Sequence, residues 1–177
     1  DVLNRASEKG IPYAVIDNPA NNAKADVSVL FDSIESGRVA GEKAVQLLTE
    51  RYGEAKGLVV NIEGDPVSQV ARDRAEGFYQ IMAENPGIEV VKLADSQAPE
   101  KATSGVSNAI ADATASGKKV DLVNSPTDPA TLGAIEALRT NNAWFPAGED
   151  GHVFVISHDG MGEILDYVRQ RYVDAEV

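Results

Sequence analysis

Residues 57–93 read GLVVNIEGDPVSQVARDRAEGFYQIMAENPGIEVVKL, and this stretch decides the fold class. The runs at 58–62 and 88–93 are short and almost continuously apolar, which is typical of strands buried on both faces of a parallel sheet. Between them, apolar residues recur at helical spacing and predict an amphipathic helix. The predicted buried stripe consists of Val67, Val70, Ala71, Phe78 and Ile81. A strand, a helix and a second strand in this order indicate one unit of a parallel α/β sheet.

The same alternation of strand and helix runs through the rest of the chain. Further strands are predicted at 11–17, 25–31, 120–123 and 153–156. Further helices are predicted at about 32–51, from Pro99, from Pro129 and at about 161–171, with the end of another helix at 1–10 and the beginning of a strand at 172–177. We therefore expect an α/β fold, a doubly wound parallel sheet with helices on both of its faces.

Two of the predicted helices begin with capping signals. Asp32 precedes the first long helix and has Glu35 three residues later, which is a capping-box arrangement. Asp128 precedes a proline in the first helical turn, so we expect Asp128 to cap that helix. Gly37 and Gly41 are one turn apart in the first long helix and should let a neighbouring helix come close. The predicted buried side of that helix comprises Ile34, Gly41, Ala44, Val45 and Leu48.

The composition excludes several classes of function. The chain has 177 residues and a net charge of −12, from 28 acidic and 16 basic residues. Nucleic-acid binding rests on basic surface that neutralises phosphates, so we expect no nucleic-acid partner. The chain has no cysteine, which excludes disulfides, thiolate zinc sites and cysteine nucleophiles.

Sequence motifs for catalysis and for cofactor binding are missing. There is no Gly-x-Gly-x-x-Gly after a strand, no phosphate loop that ends in Gly-Lys and no Gly-x-Ser-x-Gly elbow. His152 and His158 are six residues apart and would need further ligands to hold a metal ion. We therefore expect no catalytic residue, no metal ion and no cofactor.

The predicted strands end in polar residues, and ligands bind at the carboxyl ends of strands in open α/β sheets. These polar ends are 17–18, 63–66, 94–97, 124–128 and 157–160. Hydroxyls, amides and carboxylates on one edge suit a polyhydroxylated ligand, because each sugar hydroxyl both donates and accepts hydrogen bonds. Strand-to-helix loops are polar in any case, since Ser, Thr and Asp cap helices, so composition alone leaves both interpretations open.

Arg74 stands out because it falls on the apolar stripe of its helix. A guanidinium on a buried face needs partners that offset its loss of water. Near the start of the helix it could bind vicinal hydroxyls with two nitrogens and pair with a carboxylate. A side chain that snorkels to the surface, or a structural pair with Asp73 or Glu76, is the alternative.

Several stretches of the chain resemble one known family. They are EKGIPYAVIDN at 8–18, FDSIESGRVAGEKAVQLL at 31–48, ARDRAEGF at 71–78, LVNSPTDPATLGAIEAL at 122–138 and VFVISHDGMGEILDYVRQRYVDA at 153–175. These stretches resemble type I periplasmic sugar-binding proteins, the ribose-binding-like group that supplies ABC transporters. The resemblance extends over essentially the whole chain, and ARDRAEGF is its most specific part.

The resemblance implies a set of ligand-binding residues. The family has a sugar-binding arginine two residues before an ending similar to EGF, which is Arg74 in this chain. The other implied ligand groups are Asp17, Thr127 and Asp159, with Asp128 as a further candidate of lower rank.

Three positions depart from the family's usual pattern. Asn18 stands where ribose binders often have a second arginine, and Thr127 stands where asparagine is usual. Gln97 falls near the usual place of a stacking aromatic ring. Because of these departures, the ligand could be a sugar, another polyol or a different small molecule. Asn18 and Gln97 complete the set of candidate ligand-binding residues.

The resemblance also implies an organisation and a function. Residues 1–27 would be the tail of an amino-terminal lobe with a hinge crossing, and residues 28–177 a carboxy-terminal lobe that stops before its last hinge crossing. The protein would be a receptor that delivers a sugar or polyol to the membrane permease of an ABC transporter and catalyses no reaction. It would be periplasmic, or extracellular and lipid-anchored in a Gram-positive source.

The alternative function is the effector-binding lobe of a repressor with the same fold. Such repressors usually carry a turn similar to Gly-His-Arg before the strand at 58–62, whereas this chain has RYGEAK at 51–56. In the receptor family the ligand lies between two lobes, so we expect this chain alone to bind ligand weakly. The strand near its start would lack sheet neighbours and would be mobile or would pair with a second copy in a homodimer.

Overall fold

The computed structural model describes residues 2–20 and 23–177, so Asp1, which the predicted first helix includes, lies outside the described residues. Helices and strands alternate along the chain in the order α1 (Val2–Glu8), β1 (Ala14–Asp17), β2 (Val27–Leu30), α2 (Ser33–Tyr52), β3 (Gly57–Ile62), α3 (Gln69–Glu84), β4 (Ile88–Leu93), α4 (Pro99–Ala115), β5 (Leu122–Asn124), α5 (Asp128–Thr140), β6 (Phe154–Ser157), α6 (Gly162–Arg169) and β7 (Ala175–Glu176). Each element lies close to its predicted place, and the strands at 11–17 and 25–31 are shorter than predicted.

The strands form two sheets in which every pairing is parallel. The main sheet has the strand order β4-β3-β5-β6-β7, and β1 pairs with β2 in a separate two-stranded sheet. In the main sheet Val60 is the partner of Val91 on one side and of Val123 on the other, and Val123 is in turn the partner of Val155. The predicted parallel α/β sheet is therefore confirmed.

The helices cover both faces of the main sheet. On one face, Leu48 of α2 and Phe78 of α3 share a core with the inward side chains of Val59, Leu122 and Ile156. On the other face, α4, α5 and α6 pack on the alternate residues of the same strands, such as Val60, Val123 and Val155. Burial of both faces explains why these strands are almost continuously apolar.

Helices α2 and α3 approach each other through glycines. A Cβ atom on Gly37 would lie 2.0 Å from the carbonyl oxygen of Arg74, and one on Gly77 would lie 2.0 Å from the carbonyl oxygen of Ile34. A Cβ atom on Gly41 would lie 2.8 Å from Cβ of Ile81. Contacts this short leave no room for a methyl group, so the predicted close approach is confirmed. It also fixes the backbone of Arg74 against α2.

The structure corrects the predicted burial of two apolar residues. Ile34 is 39% exposed, although its backbone lies at the contact with Gly77 of α3. Val67 is 77% exposed and precedes the helix, which begins after the cap residue Ser68. Neither residue belongs to the core that its spacing suggested.

The capping predictions have different outcomes. Oδ1 of Asp32 accepts a hydrogen bond from the Glu35 amide at 3.0 Å, as predicted. The prediction that Asp128 caps α5 is wrong, because Thr127 is the cap residue and Asp128 is already helical. Oγ1 of Thr127 accepts from the Ala130 amide at 3.5 Å, while the Asp128 carboxylate is directed to other partners.

The two-stranded sheet follows α1 and exposes much apolar surface. Ile16 is 75% exposed and Val29 is 59% exposed. Residue 28, where the second lobe is predicted to begin, lies within β2, so a division there would cut this small sheet. The two-lobe division stays a prediction. Among the described residues, no helix has both the length and the apolar character that crossing a membrane requires.

Candidate functional site

Arg74 lies at the carboxyl edge of the main sheet, where α3 passes over the loops after β5 and β6. Its Nη1 donates to Oδ1 of Asp159 at 3.0 Å and to the carbonyl oxygen of Pro126 at 2.6 Å. The Arg74 side chain is 13% exposed and that of Asp159 is 38% exposed. The partner of the buried guanidinium is therefore a carboxylate from a different loop at the rim of the sheet.

The alternative pairing of Arg74 within its own helix is wrong. Asp73 accepts a hydrogen bond from Gln69, and Glu76 accepts one from Gln80. Both acidic residues thus pair with residues of α3, while the guanidinium reaches across to the loops of the sheet edge.

Asp159 has a strained backbone that neighbouring residues hold in place. Its φ of 102° is in the left-handed region, which L residues other than glycine rarely adopt. The two following residues are anchored, since the Gly160 amide donates to Glu176 Oε1 and the Met161 amide donates to the buried Asp128 carboxylate. Strain that its surroundings maintain is concentrated at functional sites, so this loop is a candidate for ligand contact.

Asp128 supports that loop from below. Asp128 is fully buried, and its Oδ1 accepts a hydrogen bond from the Ser157 hydroxyl at 2.6 Å. The other oxygen accepts the Met161 amide. Both carboxylate oxygens of Asp128 therefore have protein partners. The neighbouring Thr127 is only half-buried and lies at the sheet edge.

Gln97 lies beside the start of α3. A Cβ atom on Gly64 would lie 3.0 Å from Oε1 of Gln97 and 2.6 Å from Cβ of Ala71. Gln97 is half-buried, and its side chain packs against the loop that follows β3. Ala71 is one helical turn before Arg74, so Gln97 lies on the same side of the sheet edge as the arginine.

Asp17 and Asn18 lie at the end of β1 in the two-stranded sheet. Both are exposed, and Asn18 Nδ2 donates to Asp17 Oδ2 at 3.1 Å. Asp17 has a φ of 67°, so its backbone is left-handed like that of Asp159. Within the described residues, neither of the two forms a hydrogen bond or ion pair with a candidate ligand residue at the main sheet. The site at the main sheet is thus built from Arg74 and its surroundings.

A row of hydrogen-bonded polar side chains crosses the main sheet, and the sequence analysis identified only its members at 63 and 124, as polar strand ends. Asn61 of β3 and Asn124 of β5 are joined by a hydrogen bond from Asn124 Nδ2 to Asn61 Oδ1 at 2.7 Å. Asn61 Nδ2 donates to the hydroxyl of Tyr79 at 2.9 Å, and that hydroxyl donates to Glu63. Asn61 and Asn124 are 1% and 5% exposed. An asparagine within an apolar strand run was the signal that could have identified this row.

His158 continues the row at the end of β6. Its ring is buried, and Nδ1 lies 2.8 Å from the carbonyl oxygen of Ser125. Burial lowers the pKa of His158, and the positive charge of Arg74 acts in the same direction. The ring is therefore neutral at pH 7, and Nδ1 carries the hydrogen because a carbonyl oxygen can only accept.

Glu176 is a further residue of this sheet edge that the sequence analysis did not identify. Burial raises the pKa of Glu176 to about 7, and the negative charges of Asp128 and Asp159 add to this effect. Its hydrogen bond from the Gly160 amide, at 2.6 Å, acts in the opposite direction. A charged residue at the end of a strand, next to a loop with a candidate ligand residue, was the available signal. Among the described residues, no three His, Asp or Glu side chains are grouped as a metal site would require.

Comparison with known proteins gives a consistent family. Residues 1–177 match the sequence model of a periplasmic binding protein domain. The ribose import binding protein RbsB of Bacillus subtilis is 25% identical over 172 residues, which are 97% of this chain and 50% of that protein. The xylitol-binding protein of Mycolicibacterium smegmatis is 28% identical over 93% of this chain and 43% of that protein. The D-apiose import binding protein of Actinobacillus succinogenes is 29% identical over 94% of this chain and 48% of that protein.

Solved structures agree with this at the level of the fold. An ABC transporter solute binding protein from Agrobacterium vitis, bound with α-D-tagatopyranose, superposes with a TM-score of 0.78 at 20% identity over 97% of this chain and 56% of that one. A galactofuranose binding protein superposes with a TM-score of 0.76 at 23% identity, over 97% and 56% of the two chains. The chain spans about half the length of the curated relatives it matches. With a family model that matches along its whole length, the chain belongs to the periplasmic binding protein domain family.

Proposed function

We propose that the chain is the ligand-binding lobe of a solute receptor for a sugar or polyol. The observation that carries this proposal is the Arg74–Asp159 pair at the carboxyl edge of the main sheet, with its 3.0 Å separation and its partly exposed carboxylate. A guanidinium only donates hydrogen bonds and a carboxylate only accepts them. Two neighbouring hydroxyls of one ligand can satisfy both groups at once, because each hydroxyl donates and accepts.

Each of the other candidate residues has a role in this proposal. Thr127 and Gln97 flank the pair and contribute a hydroxyl and an amide. Asp17 and Asn18 contribute polar groups from the opposite lobe, which closes on the ligand by a hinge motion. Asp128 acts indirectly, because its carboxylate supports the loop that carries Asp159.

The relatives favour a receptor over the effector lobe of a repressor. Two of the matched proteins are import binding proteins, for ribose and D-apiose, and a third is a xylitol-binding protein. On this basis the ligand is a sugar or polyol, the partner is the membrane permease of an ABC transporter, and no reaction is catalysed. The proposed location is the periplasm, or the outer surface of a cell without an outer membrane.

Titration calorimetry on the intact receptor with D-ribose, xylitol and D-apiose tests the proposal. At least one of them should bind, and Arg74→Ala or Asp159→Ala should weaken binding by roughly 10- to 100-fold, the effect of losing a hydrogen bond to a charged group. Arg72→Ala is the matched control, since Arg72 is exposed on the same helix and bonds to Pro66 and Gln69. If none of a broad set of sugars and polyols binds, the function is wrong. If one binds equally well to all three variants, the site is wrong.

A further inference from the structure

A small cavity is lined by Arg74 and by residues of β3, α3 and the strand ends at 124–126 and 158, but not by Asp159. Its volume is about 10 Å³, and Arg74, Asn124, Pro126 and His158 are among the residues that line it. This is about the volume of one water-sized sphere, the smallest cavity that holds a water molecule.

Three buried polar atoms of the lining residues have no hydrogen-bond partner among the residues that the structure describes. They are Nε of Arg74, Oδ1 of Asn124 and Nε2 of His158. A buried polar group without a partner costs roughly 1–3 kcal/mol, so three such atoms around one cavity indicate a shared ligand.

The chemistry of each atom follows from its other hydrogen bonds. Nε of Arg74 carries a hydrogen and can only donate. The amide of Asn124 donates through Nδ2 to Asn61, and this direction is set by the chain through Tyr79 to the acceptor-only carboxylate of Glu63. Oδ1 of Asn124 is therefore the atom left to accept.

His158 supplies the third group. The ring is neutral and carries its hydrogen on Nδ1, which is bonded to the Ser125 carbonyl, so Nε2 is an acceptor. The groups that face the ring are the charges of Arg74 and Asp159 and the backbone of Ser125 and Ser36. One donor and two acceptors thus surround the cavity, which is the complement of a water molecule that accepts one hydrogen bond and donates two.

We propose that this cavity binds one ordered water molecule, through which Asn124 and His158 act as positioning residues for the Arg74 guanidinium. Nη1 is held by Asp159 and Pro126 on one side of the group, and the water holds Nε on the other. The orientation of the guanidinium is then fixed before a ligand arrives, which lowers the cost of ordering it on binding. Only this last consequence rests on the proposed function.

A crystal structure that resolves ordered waters tests the site directly. We expect a water within hydrogen-bond distance of Arg74 Nε, Asn124 Oδ1 and His158 Nε2. An empty cavity, or a direct contact between Arg74 Nε and Asn124 Oδ1, would overturn the proposal. This measurement uses the unaltered chain, so it holds even where a variant fails to fold.

A pair of histidine variants tests the positioning role. The amide of His158→Asn can replace Nδ1 toward the Ser125 carbonyl but leaves nothing at Nε2, whereas the longer amide of His158→Gln reaches the Nε2 position. We expect exchange of the Arg74 Nε hydrogen with solvent, followed by nitrogen-15 NMR, to become about tenfold faster or more in His158→Asn, as the loss of a hydrogen bond to a charged group predicts. In His158→Gln the exchange should stay near the wild-type rate. Equal exchange rates in both variants would contradict the positioning role. Neither measurement needs a sugar, so either proposal can be disproved while the other is retained.

Discussion

Three carboxylates surround the loop that follows β6, and each has a different task. Asp159 faces the rim and pairs with Arg74. Asp128 is fully buried and accepts the Ser157 hydroxyl and the Met161 amide. Glu176 is half-buried and accepts the Gly160 amide. Burial raises the pKa of Glu176, and the negative charges of Asp128 and Asp159 add to this effect.

The pH dependence of stability follows from this pKa. Burial raises the pKa of Glu176 from 4.5 to about 7 in the folded chain, so the folded state binds this proton more tightly than the unfolded state. The resulting contribution to stability is fully present below about pH 4.5 and is lost as the pH rises through about 7. Glu176→Gln keeps an oxygen for the Gly160 amide and carries no charge, so it should melt at a higher temperature than the wild type at pH 8 and at a similar temperature at pH 4.5.

Circular dichroism melts at both pH values measure this difference. Glu149→Gln is the control, because Glu149 is exposed in the loop before β6 and its substitution should leave the pH dependence unchanged. If the melting temperatures of wild type and Glu176→Gln change equally between pH 4.5 and pH 8, the charged Glu176 carboxylate does not destabilise the folded chain.

At the scale of helices and strands, periodicity and apolar runs were sufficient to predict the order of the elements and the parallel sheet. They failed where a single contact decides the outcome. Ile34 is exposed although its carbonyl oxygen lies at the close contact between α2 and Gly77 of α3. Asp128 is not the cap because α5 begins one residue earlier than predicted, with Thr127 as its cap, and the Asp128 carboxylate bonds instead to the distant Ser157 and Met161. Long-range partners of this kind have no local signature.

The candidate site shows the same division between local and long-range information. Arg74 was recognisable from the sequence because a charge on an apolar stripe needs a partner. The sequence could not choose between Asp73 or Glu76 and a distant carboxylate, since that choice depends on where α3 lies over the sheet. Asn124 and His158 were placed among the polar strand ends but not among the candidate ligand-binding residues, because each is a single polar residue in or next to an apolar strand and neither shows a motif of its own.

The contact between α2 and α3 gives a prediction at this scale. Gly37→Ala puts a methyl group 2.0 Å from the Arg74 carbonyl, so the two helices must separate. We expect a loss of stability of about 1–3 kcal/mol in urea unfolding, the usual effect of overpacking. Gly162→Ala is the matched control, because the space around Gly162 at the start of α6 is open. The control should change stability by no more than about 0.5 kcal/mol. If Gly37→Ala is as stable as the control, the helices are not in the close contact described.

At the scale of the whole molecule, the two sheets differ in how they are supported. The main sheet is covered by helices on both faces, and its central strands β3, β5 and β6 are almost fully buried. The two-stranded sheet has no buried residue in either strand. A pair of strands alone is marginally stable in water, so the parallel ladder between β1 and β2 should open far more often than the main sheet.

Hydrogen exchange measured by mass spectrometry tests this difference on the 177-residue chain. Peptides that contain β1 and β2 should exchange rapidly through local opening, while those from β3, β5 and β6 should exchange only through global unfolding. Exposed apolar residues such as Ile16 and Val29 could instead be covered by a second copy of the chain, which would protect the small sheet in proportion to protein concentration. Repeating the measurement at about one tenth of the concentration separates the two cases, because association weakens on dilution and intrachain stability does not. Strong protection of β1 and β2 that is independent of concentration would contradict the expected opening and would mean that contacts within the chain hold this sheet.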